Sequence, residues 1–148
     1  MKSTVHNPEL DAGRTNRRGL TIAYWTLTAL FCLEMSFTAY YEMTAPGAQA
    51  FTRLGFSNVW FRYEFSLAKL VGVAVLLIPK ASARLKEWAY AGFAINLISA
   101  LIAHLSIADR PLAFVPSSLT SVLWACSYLS WRRLRAAPGI HTEFRGSR

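Results

Sequence analysis

Apolar residues in this chain gather into four runs, at 19–41, 61–79, 88–107 and 113–131, separated by short polar or turn-forming links. Each run has roughly the 20 residues that a helix rising about 1.5 Å per residue needs to cross the hydrocarbon core of a bilayer. The predicted fold is therefore all-α, a bundle of four membrane-spanning helices forming one domain over 19–131. Between the first two runs, Ala45-Pro46-Gly47 reads as a turn. Residues 48–54 then form a short interfacial helix, with Phe51 and Leu54 on one face and Gly55 as its left-handed cap. That face turns to lipid or across the mouth of the bundle. Pro79 and a short basic link make the second and third spans a tight hairpin, and Asp109-Arg110-Pro111-Leu112 is an equally short link on the other side. Residues 1–18, broken by Asn7-Pro8 and Ala12-Gly13, read as a disordered cytoplasmic tail, and 132–148 as a basic cytoplasmic tail. No internal repeat of the paired-halves kind found in larger transporters is visible.

Composition sharpens this picture through charge. The chain of 148 residues is 53% hydrophobic yet carries a formal net charge of +8. In a soluble domain that charge would raise nucleic acid as a partner. Here the basic residues sort by side. Lys2, Arg14, Arg17 and Arg18 precede the first span, Lys80, Arg84 and Lys86 fill the link between the second and third, and Arg132, Arg133, Arg135, Arg145 and Arg148 follow the fourth. The opposite side has Arg53, Arg62 and Arg110, offset by Glu42, Glu64 and Asp109. Basic residues stay cytoplasmic when short loops insert, so both termini are expected inside, in a bacterial inner membrane, with no nucleic-acid partner. A cleaved signal peptide is the competing reading of Arg17-Arg18 and the apolar run after it. The run exceeds the roughly 7–15 residues of a signal core and contains Glu34, so it is read as a retained span.

Cys32 and Cys126 fall within the first and fourth runs, and no Cys-x-x-Cys occurs. A thiol–disulfide enzyme needs two thiols close in space, so these are read as small apolar fillers. No metal cluster has workable spacing, and a bis-histidine haem site lacks a second histidine within the spans, since His6 and His141 lie in the tails. No intrinsic cofactor is predicted.

The candidate chemistry lies inside the spans. A charged side chain near the bilayer centre costs about 2.5–3.5 kcal/mol on insertion scales, so it turns inward and takes a partner. Lys69, near the middle of the second run, is the clearest case, and Glu34 on the first run is its expected counter-ion. Arg62, two helical turns before Lys69, shares its face. Ala68 and Gly72 are small residues that let a neighbouring helix approach. The third run sets Gly92, Asn96, Ala100 and His104 at four-residue steps, and the fourth offers Ser117, Ser121, Trp124 and Tyr128. The predicted ligand-binding residues are Glu34, Lys69, Asn96 and His104 around a cavity opening toward the outside, with Arg62, Glu64, Ser121 and Tyr128 as secondary lining. A purely structural Glu34–Lys69 pair, locking two helices in register, stands beside that reading.

Several stretches carry a family likeness: Leu54-Gly55-Phe56 leading to Phe61-Arg62-Tyr63, Ala68-Lys69-Leu70-Val71-Gly72, Leu76-Leu77-Ile78-Pro79, the block from Leu85 to Phe93, and Ala100 with His104. Over about residues 20–131 the chain resembles the DoxX-like family of small four-helix membrane proteins. The family name comes from a small subunit associated with thiosulfate:quinone oxidation, and the resemblance implies a fold and a redox theme without catalytic residues. The expectation is a redox-linked accessory subunit that holds a hydrophobic molecule such as a quinone, working with a redox partner protein or as a homo-oligomer. Whether it is an enzyme stays open. The alternatives are a structural or assembly subunit with no ligand, and a small transporter.

Overall fold

The computed structural model describes residues 8–107 and 110–136. Among them are five α-helices and no strand: α1 (Pro8–Met43), α2 (Ala45–Arg53), α3 (Val59–Leu77), α4 (Ala83–Ser106) and α5 (Phe114–Ala136), with a single 3-10 turn, Pro111–Ala113, leading into α5. The polar links stop and start the helices with side-chain caps. Asn58 Oδ1 accepts from the Trp60 and Phe61 amides at 2.9 and 3.4 Å, and Ser82 Oγ accepts from the Leu85 amide at 3.2 Å. Each such cap contributes about 1 kcal/mol to starting its helix. Gly55, at φ +91°, takes the left-handed conformation that closes the α2 segment.

Several boundaries differ from the sequence expectation: α1 and α2 begin earlier, α4 begins at Ala83 rather than near Trp88, and α5 runs on to Ala136, into the expected basic tail. Helix α1 begins at Pro8, so residues 8–18, expected as a disordered tail, are the opening turns of the longest helix. Proline suits a first turn, where its missing N–H would have had no partner, and one glycine such as Gly13 does not break a helix this long. The expectations for residues 1–7 and 137–148 lie outside the described residues. Helix α2 likewise begins at Ala45, making Ala45-Pro46-Gly47 its first turn, capped by Thr44 Oγ1. Gly47 is required there. A Cβ on it would stand 2.1 Å from the Tyr41 carbonyl oxygen, so α2 folds back hard against the end of α1.

Cross-helix contacts define the packing. Glu42 meets Lys69, and Tyr24 meets Lys86 just past the end of α3, so α1 and α3 run antiparallel. Thr28 meets Ser127 and Glu34 meets Thr120, so α1 and α5 do too. Tyr90 with Trp131 and His104 with Phe114 make α4 and α5 antiparallel. The ring order is α1, α3, α4, α5, with α1 packed tightly on both of its neighbours. Phe31 and Phe93 fill the centre edge-to-face, ring centroids 4.9 Å apart.

The outside of this bundle is apolar. Leu33, Phe37, Ile95, Ile102, Leu119 and Val122 are all more than half exposed. Outward leucine and isoleucine over polar interior groups is the pattern of a protein dissolved in lipid. Three helical segments, Thr15–Met43, Ala83–Ser106 and Pro111–Ala136, are long and apolar enough to cross a membrane. Helix α3 has 19 residues but carries Arg62, Glu64 and Lys69, which set it apart from those three.

Candidate ligand cavity

A cavity of about 310 Å³ lies in the half of the bundle nearest α2. Glu34 reaches it from α1, Lys69 from α3, Asn96 and His104 from α4, and Thr120 from α5. Four side chains singled out by helical spacing thus share one space. Its remaining walls are mostly apolar. Phe51 of α2, Phe56 of the following link, and Phe61 and Phe65 of α3 form an aromatic cluster lining it, with successive ring centroids 5.3–6.2 Å apart. The apolar face of α2 therefore turns inward across the bundle mouth.

The expected Glu34–Lys69 pair does not form. Lys69 Nζ instead donates to Glu42 Oε1, and Ser66 Oγ donates to Glu42 Oε2 at 2.9 Å. Glu42 sits in the last turn of α1, where the sequence placed it at the water interface. The fold-back of α2 and the approach of α3 bury it to 8% exposure, beside Lys69 at 7%. Lys69 also lies 4.9 Å from the centre of the Phe65 ring, close enough for cation–π attraction. An ammonium has three donors and Glu42 occupies one, so Lys69 keeps capacity toward the cavity.

Glu34 turns to α5. Its Oε1 accepts from Thr120 Oγ1, whose oxygen also stands 2.8 Å from the Pro116 carbonyl, while Oε2 is buried with no hydrogen-bond partner. Asn96 makes one weak contact, from Nδ2 to Met35 Sδ at 3.9 Å, leaving most of its hydrogen-bonding capacity unspent. His104 packs its ring 5.7 Å from that of Phe114. The arrangement brings an ammonium, an imidazole, an amide and an unmatched carboxylate oxygen to one mostly apolar space. Among the described residues, no group of three His, Cys, Asp or Glu side chains comes together as a metal site.

The secondary residues lie elsewhere. Arg62 is buried near the α2 end of α3, 5.3 Å from the Tyr63 ring centre, with Nη1 lacking a hydrogen-bond partner. It does not line the cavity. Glu64 points out of the bundle. Ser121 donates to the Ser117 carbonyl of its own helix at 2.7 Å. Tyr128 stacks on Trp124 in an aromatic group with Tyr90 and Trp131 at the opposite end. Ser117, one turn nearer the start of α5, and Thr120, the residue just before Ser121, take the lining positions instead.

That opposite end holds a polar network invisible in the sequence pattern. Lys86, assigned to a basic loop, lies in the first turn of α4 at 4% exposure. It donates to Tyr24 Oη at 3.2 Å and to the Leu76 carbonyl at 3.3 Å, meeting an orphan carbonyl at the end of α3. Ser127 Oγ lies 2.8 Å from both Thr28 Oγ1 and Tyr90 Oη, and Trp124 Nε1 donates to the Tyr90 carbonyl at 3.0 Å. Cys32 is buried and Cys126 exposed, and the two are unbonded.

The DoxX-like family matches the chain over residues 26–126, more than half of its length. No curated protein and no solved structure matches it.

Proposed function

The chain belongs to the DoxX-like family, and on that premise we propose that it is a four-span membrane protein, both termini cytoplasmic, that holds a quinone-like amphiphile as an accessory to redox chemistry. For α3 as the fourth span, its 19 residues reach about 28 Å, and two of its charged groups, Arg62 and Lys69, face the bundle rather than lipid. Lys80 and Arg84, at the end shared with Arg132, Arg133 and Arg135, support cytoplasmic placement of that end in a bacterial inner membrane.

One observation carries the ligand reading. Glu34, Lys69, Asn96 and His104 come from three helices into one cavity whose other walls are largely apolar. At about 310 Å³ it is at the small end of ligand sites and suits a head group rather than a whole lipid. Lys69 and His104 donate hydrogen bonds to the quinone oxygens, where negative charge grows on reduction. Glu34, with an oxygen to spare, exchanges the proton. The phenylalanine cluster keeps water from the head, and a redox partner protein supplies the electrons.

A structural role is favoured by a different observation: the Lys69 charge is already met by Glu42 and Ser66 within the bundle. Mass spectrometry of lipids extracted from the gently solubilised protein separates the two. Stoichiometric quinone in the wild type, lost in Lys69→Met and in His104→Phe, supports the ligand reading; the latter variant keeps a ring against Phe114. Bulk lipid alone in all three preparations sinks it, and a stability loss confined to Lys69→Met then points to an assembly subunit.

A further inference from the structure

A second cavity, of about 300 Å³, runs between α3 and α4 on the outer surface of the bundle. Gly72 and Gly92 line it without side chains, and Leu85, Trp88 and Ile95 line it with large apolar ones. Trp88 is 78% and Ile95 66% exposed, so the groove is open to the surroundings of the bundle, which for this protein means lipid. Three residues, Phe65, Lys69 and Asn96, line both this groove and the ligand cavity. The two spaces adjoin at these residues. From Asn96 to Trp88 the groove follows α4 for about 12 Å.

The glycines differ in what they permit. A Cβ on Gly72 would stand 2.8 Å from Phe93 Cζ, so the helices touch there. A Cβ on Gly92 would meet nothing within 4 Å. The groove is empty at that point, and its ammonium and amide side chains, Lys69 and Asn96, are confined to the end it shares with the head-group cavity. A polar head joined to a long apolar chain matches this distribution.

We propose that the α3–α4 groove seats the hydrocarbon chain of the same amphiphile and is its route from the bilayer into the cavity. The inference rests on the quinone reading and adds to it a lateral path and a requirement for the chain. The head passes Phe65, Lys69 and Asn96 to enter, and the chain stays behind along Gly92.

The test compares two ligands, a substituted benzoquinone head alone and the same head carrying four isoprene units, on the purified full chain and its Gly92→Leu variant. Leucine at 92 replaces a residue of poor helix propensity and points its side chain into open space, so the variant is expected to fold, which its melting temperature checks. The expected result is binding of the long-chain quinone weakened about tenfold, with binding of the bare head unchanged. Ala68→Leu, on the opposite wall, reproduces it. Equal long-chain binding by wild type and both variants overturns the groove while leaving the head-group reading intact. Equal weakening of both ligands also overturns it, since that is damage to the cavity. A wild-type protein that binds neither ligand overturns the quinone reading and this inference together.

Discussion

Glu42, in the last turn of α1, and Lys69, midway along α3, form a buried ion pair, and Ser66 one turn before Lys69 holds the second carboxylate oxygen at 2.9 Å. This junction ties the end of the longest helix to the helix carrying two buried cations, Arg62 and Lys69, directly beside the cavity. Breaking a buried pair from one side leaves a charge with no counter-ion, which costs more than removing both partners. Glu42→Leu or Lys69→Met alone is expected to destabilise the protein by about 3 kcal/mol, and the two combined by much less. Thermal unfolding in detergent of the two single variants and the double variant measures the coupling. Additive losses would show that the pair does not hold α1 to α3.

Gly47 controls the same junction from the other side. A Cβ on it would lie 2.1 Å from the Tyr41 carbonyl oxygen and 2.8 Å from Glu42 Cα. Gly47→Val is expected to lift α2 from the end of α1 and open the phenylalanine cluster over the cavity. Limited proteolysis between residues 44 and 58 should speed up severalfold while the helix content read by circular dichroism stays unchanged. An unaltered cleavage rate would mean that α2 does not depend on this close approach.

Lys86→Met leaves the Leu76 carbonyl and the Tyr24 hydroxyl without their donor. A loss of about 1–3 kcal/mol is expected. Lys86→Arg, which keeps a donor and a charge, should lose less. Equal melting temperatures for Lys86→Met and the wild type would return Lys86 to the role of a basic loop residue.

Ser127→Ala removes a hydroxyl shared by Thr28 and Tyr90. Hydrogen bonds between helices in membrane proteins contribute about 0.6–2 kcal/mol each, so a loss of about 1–2 kcal/mol is expected. The effect should be smaller in a Thr28→Val background, where one of the two bonds is already gone.

Topology is read by labelling single cysteines with a membrane-impermeant maleimide in a Cys32→Ala, Cys126→Ser background. Ser57→Cys, in the exposed link between α2 and α3, is expected to label in intact cells, and Ala81→Cys, in the link between α3 and α4, only after permeabilisation. Labelling of both in intact cells, or of neither, would remove α3 as a span.

Much of the cavity could be read in one dimension. Lys69, Asn96 and His104 stand at helical spacing among small residues, and charge is expelled from a lipid-facing surface, so their inward direction follows from hydropathy and periodicity alone. Glu42 escaped because it follows Tyr40 and Tyr41, a pattern that reads as an interface, and nothing local reveals that α2 folds back over it. Lys86 escaped for a related reason. It lies in a basic stretch, but α4 begins at Ala83, so Lys86 falls in the first turn, where it reaches the end of α3. Gly47 carried a turn signal, but its need for space comes from Tyr41, six residues earlier on another helix.

The sequence by itself determined the apolar helices in outline, their outward faces and the inward direction of Lys69, Asn96 and His104. Each of these depends on short-range spacing and on the cost of placing a given side chain in lipid. Tertiary structure alone decided that Lys69 pairs with Glu42 and Glu34 with Thr120, that α2 turns its phenylalanines over the cavity, and that a groove opens between α3 and α4. Those outcomes depend on the order of the helices around the bundle and on how far each is rotated and slid against its neighbours. Residues far apart along the chain set those quantities jointly, and no local pattern encodes them.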